Sequence, residues 1–70
     1  MKDLHPSTRA ILRFFDYAHL PDHLQEVSAP FHDLAWHFAA RFEGDELTTS
    51  LRKLLEAKDC MVRAALPPHD

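Results

Sequence analysis

One glycine, Gly44, falls between two stretches of helical apolar spacing, and no other glycine interrupts the 70 residues. Gly44-Asp45 offers a helix stop followed by an N-cap, the pair expected of a tight helix–helix turn. Before it, Leu24, Val27, Phe31, Leu34, Ala35, Phe38 and Phe42 recur at helical spacing and predict a long helix from residue 21 or 22 to 43. After it, Leu47, Leu51, Leu54, Leu55, Met61, Val62 and Ala65 predict a second over residues 46–66, ended by Pro67 and Pro68. Pro30 removes a helix hydrogen bond inside the first, so a kink or brief break is expected over residues 27–30. Upstream, Ser7 is placed to cap a short helix through Ile11, Leu12 and Phe14, with residues 15–20 an irregular aromatic connector. The expected fold class is all-α: a two-helix antiparallel hairpin with a short N-terminal helix. Residues 1–14 form an N-terminal extension and residues 15–70 the hairpin domain.

So short a chain buries too little apolar surface to be more than marginally stable alone. Cys60 is its only cysteine, so no disulfide forms within it, and no clustered Cys and His set suggests a structural zinc. Self-association remains, and a homo-oligomer is expected. The start at Met1-Lys2-Asp3-Leu4-His5-Pro6 lacks an apolar run like a signal peptide, and no stretch is apolar enough to span a bilayer, so a cytoplasmic location and no membrane partner are expected.

Charge is split along the chain although the formal net is −3. Asp16, Asp22, Glu26, Asp33, Glu43, Asp45 and Glu46 face only Arg41. Then Arg52, Lys53, Lys58 and Arg63 stand against Glu56 and Asp59. Such a split can steer protomers together or offer a local basic site to an anion. Duplex nucleic acid is not an expected partner, since it needs a basic face and many phosphate contacts.

Six histidines raise a metal or catalytic reading, with His19 and His23 at i, i+4. No HExxH motif or carboxylate cluster completes a metal site, His32-Asp33 has no supporting partners, and no base accompanies Cys60 or the serines. No catalysis, metal or cofactor is expected. Lys58 projects about 20° from Leu47 on an ideal helix, within the apolar stripe. Two explanations stand: a lysine that snorkels or pairs with an acid of another protomer, or an anion-binding lysine in a cleft. On the second, truncation relieves desolvation and the melting temperature holds or rises. Arg52 is spaced to pair with Glu56 and Arg63 with Asp59, while Lys53 has no such carboxylate. Trp36 lies about 120° around its helix from Leu24, so it packs under the N-terminal segment or meets another protomer. In the connector, Phe14 and Phe15 suit packing, whereas Tyr17 adds a hydroxyl to a ring free to stack.

The connector motif Phe15-x-Tyr17, the turn, and Leu51-x-x-Leu54-x-Glu56-Ala57 resemble a phage immune-evasion family over residues 15–65. These are the anti-CBASS cyclic-nucleotide sponges, whose helical hairpin is shared with Thoeris anti-defence sponges. The resemblance implies a homohexamer in the host cytoplasm that sequesters cyclic dinucleotides, in some members also cyclic trinucleotides, without degrading them. Family members often carry a tryptophan followed closely by asparagine where this chain has Cys60, Met61 and Val62, so an aromatic and an amide donor are missing. The ligand-binding residues expected are Tyr17 for base stacking, His19 as a polar contact, and Lys53 and Lys58 for phosphate charge. The alternative is a small helical protein-binding or structural oligomerisation module, with no nucleotide ligand, in which the acidic first helix and Trp36 dock on a partner.

Overall fold

A computed structural model describes residues 4–67, so Met1 to Asp3 and the expected helix-ending Pro68 lie outside the described residues. The described residues are all-helical, without strands: α1 (Pro6–Leu12), a 3-10 turn (Arg13–Phe15), α2 (Asp22–Ala39) and α3 (Asp45–Ala64). None of these helices is long and apolar enough to cross a membrane. The molecule is elongated, 43 × 20 × 15 Å.

α1 starts earlier than expected. Pro6 takes the first helical position, where its missing N–H costs nothing, and the His5 ring rather than Ser7 caps it, Nδ1 accepting the Ser7 amide at 3.2 Å. α2 runs unbroken through Pro30, contrary to a break near it. Pro30 and Glu26 are both exposed, so water can satisfy the carbonyl that proline leaves without an amide. α2 also ends at Ala39, short of residue 43, and a non-helical link over residues 40–44 leads into α3. Gly44 itself is the N-cap of α3, with φ 104° and ψ −179°, a conformation nearly confined to glycine. Asp45 is therefore the first helical residue rather than the cap, where with Glu46 its charge still suits the helix dipole.

Leu12, Phe15, Ala35, Ala39, Leu47 and Leu51 form one buried cluster, with Leu4, Ile11, Phe31, Leu54 and Leu55 packed against it. The segment before residue 15 thus contributes Leu12 to the same core as α2 and α3. The aromatic pair at its end divides: Phe15 is fully buried and Phe14 is 61% exposed. The expected α2 stripe also divides. Leu24 and Ala35 are buried together with Ser28 and Ala39, while Leu34, Phe38 and Phe42 remain exposed, as does Met61 on α3.

Candidate functional site

The connector is pinned to α2 by Gln25, whose Nε2 donates to the carbonyls of Leu20 at 2.8 Å and Ala18 at 3.4 Å. The Leu20 amide closes a turn on the Tyr17 carbonyl at 3.0 Å. This holds Tyr17, half-buried, edge-on to the His32 ring with centroids 5.2 Å apart. His32 in turn lies 6.2 Å from Trp36, one helical turn onward. Its Nδ1 is bonded to the Asp33 carboxylate at 3.1 Å, which orients the ring between its neighbours. Tyr17, His32 and Trp36 therefore make a row of rings, and Trp36 is 42% exposed rather than covered by the N-terminal segment. An open cavity of about 410 Å³ is lined by Asp16, Tyr17, Ala18, His19 and His32.

A second cavity, of about 280 Å³, adjoins it through Asp16 and His19, which line both. Its remaining wall brings Arg13 and Phe14 together with Ser28 of α2 and Lys58, Asp59, Val62 and Arg63 of α3. Ser28 is wholly buried and its hydroxyl has no hydrogen-bond partner among the described residues. A serine inside a helix usually donates to the carbonyl four residues back, and leaving a buried hydroxyl unpaired costs about 1–3 kcal/mol.

Lys58 lies at this cavity but is already engaged. Its Nζ donates to the Phe14 carbonyl at 2.6 Å, meets Asp59 at 3.3 Å, and stands 5.9 Å from the centroid of the Phe15 ring. With its side chain only 12% exposed, this ammonium closes the carbonyl end of the N-terminal helical segment. Lys58 lines the cavity, but its ammonium is bonded within its own chain, so truncation also breaks an intramolecular contact, which opposes the stability gain expected from relieved desolvation. Asp59 serves Lys58 rather than Arg63, whose Nη2 donates to the weak acceptor Cys60 Sγ at 3.3 Å. No ion pair joins Arg52 to Glu56, and Arg13 has no carboxylate partner, among the described residues. Arg13 and Arg63 both line the cavity without a carboxylate partner among the described residues, and a guanidinium is suited to bidentate contact with phosphate.

Of the expected ligand residues, Tyr17 and His19 share one cavity and His19 and Lys58 the other, while Lys53 is exposed and lines neither. Arg13, Ser28, His32 and Trp36 were not anticipated as partners of this site. His32 and Trp36 carried a signal, an i, i+4 aromatic pair. Ser28 carried none, because an isolated serine inside an apolar stripe gives no sign of what its hydroxyl meets. No family model, curated protein or solved structure matches this chain.

Proposed function

We propose that this protein is a sponge: a homo-oligomer of antiparallel helical hairpins that binds cyclic oligonucleotide second messengers, cyclic dinucleotides first and trinucleotides beside them, and releases them unchanged. The observation that carries the reading is the junction, through Asp16 and His19, of the ring row with the cavity that Arg13, Lys58 and Arg63 line together with Asp59. Bases offer flat apolar faces for Tyr17 and Trp36, and phosphodiesters offer charge to Arg13 and Arg63. His19 lines both cavities, and on this reading it contacts the sugar or phosphate between them. Sequestration requires competition with a receptor, hence nanomolar affinity, about −12 kcal/mol. An immune-evasion role in a phage-infected cell follows from the resemblance of the connector and hairpin motifs to the sponge family.

Equilibrium dialysis against a panel of cyclic di- and trinucleotides tests the reading, followed by denaturation and chromatography of the released ligand. Nanomolar retention of an intact ring supports it. Linear product above a protein-free control makes the protein an enzyme, and no retention of any ring leaves the protein-binding or structural module. The exposed Leu34, Phe38 and Phe42 favour that second reading as a surface for another protein.

A further inference from the structure

α2 carries more apolar surface than its own chain covers, and its charges are placed to receive a second α2. At about 100° per residue, Val27, Leu34 and Phe38 fall within an arc of about 40°, centred about 80° from the face turned to the core. Exposed Pro30 borders that arc, and Leu34 and Phe38 within it are 42% and 38% exposed. On the edge of the arc away from the core stand Glu26, near the start of α2, and Arg41, just past its end, about 22 Å apart along the axis. Both are exposed, and neither has an ion-pair partner among the described residues. Arg41 Nη1 donates to the His37 carbonyl at 2.7 Å, which holds the guanidinium against the helix end and leaves its other donors open.

When two such helices lie antiparallel with Leu34 against Leu34 on a twofold axis, Arg41 of each comes level with Glu26 of the other. The twofold keeps both residues on the same edge of the contact, so they meet. Parallel packing would instead set Glu26 on Glu26 and Arg41 on Arg41. The charges thus select one direction and one register, and both come from the same patch on each copy.

We propose that a second copy of this chain covers this flank: the two α2 helices pack antiparallel about Leu34, with Pro30 and Phe38 beside it and an Arg41–Glu26 pair at each end. The inference rests on the self-association in the reading above and not on its nucleotide. An apolar centre with a charged, solvent-accessible rim is the usual make-up of such a contact. Phe38 keeps its contact with Phe42, at 6.2 Å between ring centroids, and meets the second copy with its outer side. Trp36 lies about 160° around the helix from Leu34, so the row of Tyr17, His32 and Trp36 stays on the outside of the pair.

The test is light scattering coupled to size exclusion on the full chain at fixed protomer concentration, with far-UV circular dichroism as the check on fold. Leu34→Ser, Glu26→Arg and Arg41→Glu are each expected to keep helicity, because these side chains are exposed, and to weaken association about tenfold or more. The double variant Glu26→Arg with Arg41→Glu should assemble like the parent, since a twofold contact brings both reversed charges together again. That variant still lacks the Arg41 bond to His37, so its recovery separates the contact between copies from the helix end. A parent that assembles while all three single variants assemble equally well overturns this contact and leaves the oligomer standing. A parent that stays monomeric overturns the contact and the oligomer together. Loss in the single charge variants without recovery in the double overturns the antiparallel register. Retention of a cyclic nucleotide is read separately by dialysis, and its failure bears on the reading above alone.

Discussion

Replacing Lys58 by methionine keeps the aliphatic stem over Phe15 and removes only the ammonium. The lost contact is a charge-assisted hydrogen bond at 2.6 Å from a side chain 12% exposed, and such bonds contribute about 1.5–3 kcal/mol. The pairing with Asp59 adds less than about 1 kcal/mol, because that carboxylate is 49% exposed. A thioether against the Phe15 ring returns about 0.5–1 kcal/mol. The balance is a loss of about 0.5–3.5 kcal/mol, centred on about 2 kcal/mol, and at about 4–8 °C per kcal/mol for a domain of this size the central value lowers Tm by about 8–16 °C. Thermal unfolding followed by circular dichroism at one protomer concentration measures it, with Lys53→Met as the exposed control, expected within about 0.5 kcal/mol of the parent. If Lys58→Met melts at or above the parent temperature, desolvation of the ammonium outweighs its bond to Phe14, and the carbonyl end it closes is held by something else.

Gly44→Ala should cost about 1–3 kcal/mol through backbone strain alone, since a Cβ there meets nothing within 4 Å; D-alanine introduced by synthesis should melt with the parent. Tyr17→Ala should leave helicity intact, because residue 17 lies outside every helix, while weakening cyclic dinucleotide binding by about 1–3 kcal/mol, roughly tenfold to a hundredfold in a titration. Arg63→Gln should weaken the same binding by about 1.5–3 kcal/mol and flatten its dependence on salt, as an unchanged salt slope would deny a phosphate contact. Ser28→Ala should separate stability from affinity: removing an unpaired buried hydroxyl in favour of a better helix former raises stability by about 1 kcal/mol, and calorimetry should show weaker ligand binding.

Helix content was legible because it rests on local rules. Apolar recurrence gave the bodies of α2 and α3, and Gly44 marked where the chain must leave the first and enter the second. Ends were less legible. Whether Asp45 caps α3 or begins it depends on the φ of Gly44, and whether His5 or Ser7 caps α1 depends on a rotamer of His5. Lys58 shows how a correct local observation leaves a partner unread. Its position in the apolar stripe was right, but its partner is a backbone carbonyl 44 residues away, and a backbone group carries no mark in a sequence. The same limit hid the site, in which Arg13, Ser28 and Arg63 meet only because α1 and its 3-10 turn pack against both longer helices.

The divided stripe of α2 has a geometric cause. At about 100° per residue, Leu24, Ser28, Phe31, Ala35 and Ala39 fall within an arc of about 80°, which is the face turned to the core. The apolar stripe as written, from Leu24 through Phe42, is centred about 45° to one side of that arc. Ala35 and Ala39 explain the offset: both are fully buried, and their small side chains let the core close over them more tightly than it would over the phenylalanines. The core is thus set by where the helix is narrow, not by where it is most apolar. The larger side chains Leu34 and Phe38 are displaced onto a flank that the described residues of one chain leave exposed. An apolar helix face wider than its intramolecular cover is a physical reason for a second copy, independent of any resemblance.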